Sequence, residues 1–279
     1  MNIVSLHTFI AIVDMGSLVR ASEKMNVTQS TVTARLKILE QDLGQILLNR
    51  HKSGTTLTPA GSKLLRYARV MTGLWRQAQN EAGLPDGVDS LFSFGCHSDL
   101  WLGPGKRIFD GILSEQPNMA LSVYQGGAHE LQDWMVSGWV DVVLSYTPTA
   151  RIGQQVHQIA SDQLVLYSNR PDSPIAYDPG YVFVDYGEEY RRAHGEAYYD
   201  AGTAKISFDS PVRAHEYLLE RGGSAYLPSY MVAADLAEGR LFVLPRAPVF
   251  PRPVFIISHD TTAQKWPWFD DLIKRVSVP

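Results

Sequence analysis

The sequence contains a single cysteine, Cys96, among its 279 residues. One cysteine excludes an internal disulfide, which agrees with a reducing cytoplasmic location. No apolar run approaches the roughly 18 residues that a membrane-spanning helix needs. The first residues, MNIVSLHTF, lack the basic and apolar regions of a secretory signal. These absences predict a cytoplasmic protein that has no membrane partner.

Catalytic signatures are also missing. There is no Gly-x-Ser-x-Gly elbow, no phosphate-binding loop, no zinc-protease helix motif and no Cys-x-x-Cys pair. His97, Ser98 and Asp99 are consecutive, and consecutive side chains do not face one another as a catalytic triad requires. We therefore expect no enzymatic activity, no cofactor and no metal site.

Positive charge is scarce overall, because the formal net charge is −4, but it is concentrated at one end. Residues 1–80 hold ten Lys/Arg and four Asp/Glu, a net +6, and the remainder holds 15 and 25, a net −10, which together give −4. A basic module on an acidic body favours binding of nucleic-acid phosphates by the first part alone.

Two helical patterns lie between Ser17 and Gly44, with a break at Asn26 and Val27. Thr28 is placed to cap the second helix, in which apolar residues recur at helical spacing. A short helix, a tight turn and a longer helix predict a helix-turn-helix. The side chains at the start of the second helix are of types that can reach base edges in a major groove; they are Gln29, Ser30, Thr33 and Arg35.

Residues 47–50 and 55–57 predict two short strands joined by a basic turn, which is a wing. Thr58 and Pro59 then occupy the N-cap and first positions of a long helix that ends near Ala82. We expect DNA phosphates to be contacted by the capped helix start at Thr28 and by Arg35, Arg50 and Lys52. The long helix carries an apolar stripe formed by Leu64, Ala68, Met71, Trp75, Ala78 and Ala82.

The run F..IVDMGSLVRASEKMNVTQSTVTARLKILEQDLGQILLNR....TLTPAG resembles the N-terminal domain of LysR-type transcriptional regulators. The resemblance departs from the family pattern at Leu48, where Phe is usual, and at Thr33, where Ser is common. It implies binding to a double-stranded DNA operator and pairing of the long helix with its twin in a homodimer or homotetramer. It also allows RNA polymerase as a partner.

After a break at residues 83–87, strands and helices alternate. Strands at 90–95, 120–124 and 140–146, with helices between them, predict a parallel α/β sheet. The first of these helices is expected from Asp99 to Glu115. Strands at 163–168 and 181–186 predict a second lobe, and residues 254–259 are expected to return to the first.

The predicted fold class is α/β: a winged helix-turn-helix, a long linker helix and a two-lobed effector domain. The resemblance implies a periplasmic-binding-protein-like fold for the last. The domains are 1–58 for DNA binding, 59–87 for the linker helix and hinge, and 88–279 for the effector. Within the effector domain, lobe one comprises 88–160 and 246–279, and lobe two comprises 161–245.

Ligands of open α/β sheets bind outside the carboxyl ends of the strands. Backbone amides at helix starts, together with hydroxyls and histidines, favour a polar or carboxylate-bearing effector. Asp99 opposes a strongly anionic one. The predicted effector-binding residues are His97, Ser98, Gly127, Ala128, His129, Tyr146, Asp185, Tyr186 and Tyr226. Ser98 is equally explained as a helix cap, the histidines as surface residues and the tyrosines as packing residues.

Two hypotheses from different classes follow. In the first, the protein is a sequence-specific transcriptional regulator whose operator binding responds to a small effector in the interlobe cleft. In the second, it is a cytosolic small-molecule-binding protein or enzyme with an incidental N-terminal helical domain. Cys96, placed at a predicted helix start, admits a redox role or a buried inert thiol.

Overall fold

The structure, a computed structural model, describes residues 2–51, 54–176, 178–199 and 204–276. The chain forms two compact units. The first comprises Met1–Gly95, Asn118–Val123 and Gln132–Asp141, and the second comprises Cys96–Pro117, Tyr124–Leu131 and Val142–Pro279. The domain division at residues 58, 87 and 160 stays a prediction.

The first unit begins with the predicted helix-turn-helix. Its helices are α1 (Ile3–Met15), α2 (Leu18–Lys24) and α3 (Gln29–Leu43). Asn26, in the turn, has φ +52°, a left-handed conformation that Asn tolerates better than most residues. Thr28 caps α3, because its Oγ1 accepts a hydrogen bond of 3.2 Å from the Thr31 amide. The turn and the cap are therefore confirmed.

The wing is a two-stranded antiparallel hairpin, β1 (Leu48–His51) and β2 (Gly54–Leu57). Apolar residues of α1, α3 and β1 form one buried core with part of the helix that follows the wing. Across the described residues, no single helix is long and apolar enough to cross a membrane. Only α1 and α2 taken together satisfy such a test, and the chain bends by 117° between them.

The long helix α4 runs from Pro59 to Ala82, as predicted. Thr58 caps it, because its Oγ1 accepts from the Gly61 amide at 3.0 Å. The same hydroxyl donates to the Ile46 carbonyl, before the wing, at 2.7 Å. The predicted apolar stripe divides into two parts. Leu64, Ala68 and Met71 pack into the winged-helix core, whereas Trp75, one turn further on, is exposed, as is Leu74 beside the stripe.

Within the first unit, Arg69 in the middle of α4 forms ion pairs with two other elements. Its Nη2 donates to the Asp14 carboxylate on α1 at 2.9 Å, and its Nη1 donates to the Asp133 carboxylate at 3.0 Å. One turn later, a Cβ on Gly73 would lie 1.5 Å from the Ser137 carbonyl oxygen, so only glycine permits this approach. The guanidinium of Arg76 lies 3.6 Å from the Trp139 ring centroid.

The remaining elements alternate between strand and helix, and all are bounded as follows: β3 (Ser90–His97), α5 (Lys106–Glu115), β4 (Met119–Gly126), α6 (Ala128–Val136), β5 (Val142–Ser145), β6 (Gln154–Ser168), β7 (Val182–Val184), α7 (Glu188–Ala197), β8 (Ile206–Phe208), α8 (Pro211–Arg221), β9 (Ser224–Pro228), α9 (Ala233–Ala237), β10 (Phe242–Val243), β11 (Phe250–His259), α10 (Thr262–Lys265) and α11 (Phe269–Val276).

In the second unit, two long strands organise the sheet. β6 pairs with β11 in antiparallel register from Gln154–His259 to Leu164–Phe250. β11 also pairs with β5 in antiparallel register, and the assignment of residues 246–279 to lobe one stays a prediction. β9 and β10 add to β6, again antiparallel, whereas β7 and β8 form a separate parallel pair. The predicted parallel arrangement therefore does not extend to these antiparallel strands.

Two predicted element boundaries were wrong. The strand predicted at 163–168 begins nine residues earlier, at Gln154. The prediction missed its first half because the polar side chains that alternate there resemble those of a loop. The helix predicted from Asp99 begins only at Lys106. A 3₁₀ turn over Ser98–Leu100 precedes it, followed by a π-turn over Trp101–Gly105 that contains Pro104 and a non-helical Gly103.

We expect Arg69→Met to lower the free energy of unfolding by about 1 kcal/mol, because two partly exposed ion pairs are lost at once. The thermal midpoint is expected to fall by about 2–4 °C. Lys63→Met, on the same helix at an exposed position, is the matched control. Equal midpoints for the two variants in thermal unfolding would show that Arg69 does not fasten α4.

Candidate DNA-binding and effector sites

The start of α3 presents polar side chains to solvent. Gln29 and Ser30 are exposed, and Thr33 and Arg35 are half-buried on the same helix. The Thr28 hydroxyl lies 2.8 Å from the hydroxyls of both Ser30 and Thr31, so the capping cluster is internally bonded. The side chains that the sequence singled out for base contact therefore lie close together on one accessible helix start.

A hollow of about 610 Å³ lies beside this helix start within the first unit. Its lining includes Gln29 from α3 and Arg20 from α2, while Arg50 and His51 come from the wing. Both arginines are exposed. The sequence does not single out Arg20, and only its position opposite the wing reveals it as a candidate phosphate contact. Lys52, also predicted to contact DNA, lies outside the described residues.

The loop after β3 is built differently from the prediction. Ser98 lies in a single 3₁₀ turn and not at the start of an α-helix, so it has no row of free helical amides for an anion. The His97 side chain accepts from the Asp99 amide, with Nδ1 at 3.3 Å. The His97 ring also makes an edge contact with Tyr146, at a centroid distance of 5.4 Å. The loop thus joins His97 and Tyr146 but supplies no helix-terminus anion site.

At the start of α6, Gly127, Ala128 and His129 are all exposed. The Gly127 amide donates to the Glu130 carboxylate at 3.0 Å. One of the amides expected to meet an anionic effector is therefore already occupied by an acid of the same chain.

The predicted residues of lobe two differ in accessibility. Asp185 is engaged with Arg191 through contacts of 2.7 and 2.6 Å and accepts from the Gly187 amide at 2.9 Å. Tyr186 is half-buried, and its hydroxyl donates to the Tyr226 carbonyl at 2.8 Å. Tyr226 is fully buried among aromatic rings, and its hydroxyl lies within hydrogen-bond distance of the Tyr198 hydroxyl and the Pro248 carbonyl. Its burial leaves it no surface to offer an effector.

Arg252 on β11 is a functional candidate that sequence reasoning missed. Its guanidinium carbon lies 3.4 Å from the Tyr146 ring centroid and 4.6 Å from that of Tyr186. Its Nη1 lies 3.4 Å from the Asp99 carboxylate, and both side chains are about nine-tenths buried, at 12% and 8% exposure. Arg252 is also the strand partner of Asp162.

The neighbours of Arg252 form a connected polar network, which we name the Arg252 cluster: His97, Asp99, Tyr146, Asp162, Tyr186, Tyr230 and Arg252. The Tyr146 hydroxyl donates to Asp162 at 2.7 Å, and the Tyr230 hydroxyl donates to the Asp99 carbonyl at 2.5 Å. Four of the seven were not nominated as effector residues from the sequence. No pattern marks Arg252, Asp99, Asp162 or Tyr230, because they lie on four separate segments. The β6–β11 pairing places Arg252 beside Asp162.

Burial sets the protonation states in this cluster. It raises the pKa of Asp162, while the Tyr146 hydroxyl and the fields of Arg252 and Arg107 oppose that rise. Burial also lowers the pKa of His97, although Asp99 partly counters this effect. His97 is therefore neutral at pH 7, and Arg252 supplies the cluster's positive charge.

Cys96 is an inert thiol in this fold. It is fully buried, and burial raises its pKa to about 12, so the nucleophilic thiolate is scarcely populated at neutral pH. Among the residues that the structure describes, no group of three or more His, Cys, Asp or Glu side chains could hold a metal ion.

Comparison with known proteins gives matches along most of the chain. Residues 3–62 match the family described as bacterial regulatory helix-turn-helix protein, lysR family, and residues 90–265 match the LysR substrate binding domain. The HTH-type transcriptional regulator HdfR of Yersinia pestis (strain Pestoides F) is 24% identical over 276 residues, covering 93% of this chain and 91% of that protein.

Solved structures agree in fold. ArgP from Mycobacterium tuberculosis aligns with a TM-score of 0.63 and 20% identity, over 98% of this chain and 96% of its own. CbnR, a LysR family transcriptional regulator, aligns with a TM-score of 0.64 and 17% identity over all of both chains. At these identities, the likeness shows the fold alone.

We expect Arg252→Met to lower the free energy of unfolding by about 3 kcal/mol, because Asp99 would be left buried without its cation. Adding Asp99→Asn to that variant should recover part of the loss, since the uncompensated charge is then gone. Urea unfolding measures both, with Arg246→Met, at an exposed site, as control. A single variant as stable as wild type, or a double variant less stable than the single one, would contradict the pairing.

Proposed function

The chain belongs to the LysR family of bacterial helix-turn-helix transcriptional regulators, and from that premise we propose which residues read DNA, which hold the effector and how the chain assembles. It is a DNA-binding transcriptional regulator with an effector-binding domain, and the family consists of regulators and not enzymes. The hypothesis of a solute binder or enzyme with an incidental helical domain is therefore wrong.

The start of α3 enters the major groove of the operator. Gln29, Ser30, Thr33 and Arg35 contact base edges, since they share the accessible start of that helix. Arg50 and Lys52 of the wing, together with the capped start at Thr28, contact phosphates. The observation that carries this assignment is the exposed polar helix start beside a hollow with arginines on two sides.

The effector is a small polar molecule that binds between lobes one and two, within residues 88–279. Of the predicted residues, His97, Ser98, Gly127, Ala128, His129, Tyr146 and Tyr186 remain candidates, whereas Tyr226 is excluded by burial and Asp185 by its bonds to Arg191. A carboxylate on the effector is met by Arg252, which it must share with Asp99. The effector changes operator binding only by favouring one arrangement of the regulator over another.

Assembly proceeds through α4, which forms most of the linker segment 59–87. Tyr67, Leu74 and Trp75 are exposed by 52, 55 and 48% on this helix, which is a large apolar surface to leave in water. A two-fold dimer buries it and presents two helix starts to a pseudo-palindromic operator. We infer that the same α4 interface holds each dimer together in a homotetramer made of two such dimers. RNA polymerase is the further partner, and the cytoplasm is where the regulator meets its DNA.

We expect Thr33→Ala and Arg35→Ala each to weaken specific operator binding by about 1–3 kcal/mol without unfolding the chain. Arg50→Ala should instead weaken binding to all sequences and reduce the slope of affinity against salt by about one unit. Gel-shift titrations on an operator selected from random duplex DNA measure these effects, with Lys24→Ala, exposed at the end of α2, as control. Unchanged affinity and salt slope in all three variants would refute the assignment.

We expect Leu74→Ser combined with Trp75→Ala to weaken dimerisation at least about thirtyfold, because buried aromatic and aliphatic anchors dominate interface energies. Sedimentation-velocity titration of the full chain measures the dissociation constant. Ile152→Ser removes a fully exposed apolar residue elsewhere and should leave it unchanged. The α4 interface is wrong if the double variant dimerises like wild type.

A further inference from the structure

A cleft of about 400 Å³ lies in the second unit, where the middle of β6 meets two turns. One turn leads from β3 into α5, and the other follows β9. None of the predicted effector residues lines it. Its lining consists of Leu102, Gly103, Arg107, Ala160, Ser161, Asp162, Gln163, Ser229 and Tyr230. We name it the Asp162 cleft.

Asp162 supplies the cleft's negative charge. Its carboxylate accepts one hydrogen bond, from the Tyr146 hydroxyl at 2.7 Å. No ion pair engages it within the described residues, and Arg252 and Arg107 act on it only through their fields. A carboxylate can accept about four hydrogen bonds, so Asp162 retains unused acceptor positions beside an open volume. Its partial burial makes a charged donor there more favourable than water.

Arg107 supplies the opposite charge. It lies in the first turn of α5, is exposed and lines the same cleft. Across the described part of the chain, no hydrogen bond or ion pair engages its guanidinium. A planar guanidinium left free in this way is suited to bidentate binding of a carboxylate.

The wall of the cleft between these two charges is firmly placed. The Tyr230 ring packs so tightly on the backbone of Gly103 that a Cβ there would lie 2.9 Å from the ring. The Tyr230 hydroxyl is held by the Asp99 carbonyl. The Ser229 hydroxyl is bonded to the Gln163 carbonyl at 3.1 Å. The cleft is therefore defined before any ligand enters.

We propose that the Asp162 cleft binds a small zwitterion of the amino-acid class, with its ammonium on Asp162 and its carboxylate on Arg107. A simple carboxylate would place a second negative charge near Asp162, and a simple amine would leave Arg107 unused. A molecule carrying both charges satisfies both side chains. This inference rests on the proposed function, because the cleft is lined by residues of both predicted lobes and shares Asp162 and Tyr230 with the Arg252 cluster; it adds a second subsite and names the chemistry of its ligand.

Occupancy of this cleft is transmitted to the Arg252 cluster through one hydrogen bond. An ammonium on Asp162 binds the same carboxylate that accepts the hydrogen bond from the Tyr146 hydroxyl. Tyr146 is the residue on which both His97 and Arg252 pack. A zwitterion in the Asp162 cleft therefore acts on the side chains proposed to line the main effector site.

Isothermal titration calorimetry on the full-length protein tests the proposal, with a ladder of ω-amino acids from glycine to 6-aminohexanoate as probes. The alkylamines and alkyl carboxylates of the same lengths are titrated at the same ionic strength. We expect at least one ω-amino acid to bind more tightly than the matched amine and carboxylate. Asp162→Asn should weaken that binding about tenfold, and Arg107→Gln about fivefold.

The controls separate binding from folding and from DNA recognition. Asp172→Asn and Arg221→Gln make the same charge changes at exposed positions outside the cleft and should bind like wild type. Asp162→Asn keeps an acceptor for Tyr146, so its thermal midpoint should match wild type. The proposal is overturned if no ω-amino acid binds, if a carboxylate alone binds equally well, or if Asp162→Asn has no effect. None of these results alters the assignment of α3 to DNA.

Discussion

The effector half of this regulator is constrained by one buried charge. Arg252 lies between the rings of Tyr146 and Tyr186 and close to Asp99, with little access to water. Removing a guanidinium from water costs several kcal/mol unless charged or hydrogen-bonding partners compensate. Moving these neighbours away from Arg252 would therefore destabilise the fold. Arg252 is fixed by β11, whereas Tyr186 follows β7 and Asp99 follows β3. Arg252 therefore contacts segments from both proposed lobes. An effector that binds Arg252 would lie close to all of these segments.

The DNA-binding half depends on a different constraint. Its core is apolar and continuous, and α4 contributes Leu64 and Ala68 to it before leaving its apolar side exposed at Leu74 and Trp75. One helix thus serves two purposes along its length. Arg69, between those two parts, pairs with Asp14 of the winged-helix core and with Asp133.

The elements with strong local signals were predicted correctly. Thr28 and Thr58 are hydroxyl residues before apolar helical patterns, and both cap helices as expected because capping depends on the next three residues only. Longer-range features were not predicted. The first half of β6 was missed because its polar alternation is stabilised by pairing with β11, about a hundred residues away. The anion site expected at Ser98 was lost because Gly103 and Pro104 delay the regular helix until Lys106.

The sequence by itself determined the class of protein, the helix-turn-helix with its caps, the wing and the side chains available at the start of α3. These follow from helical periodicity and from interactions between residues a few positions apart. Only the tertiary structure decided which polar residues of the effector half share a site. In the folded protein Tyr226 is buried in an aromatic core, and Asp99, Asp162 and Arg252 lie close together although they come from three distant segments. Strand pairing determines which distant residues become neighbours. The free energy that favours one pairing is a sum over the whole sheet, so no single sequence motif predicts it.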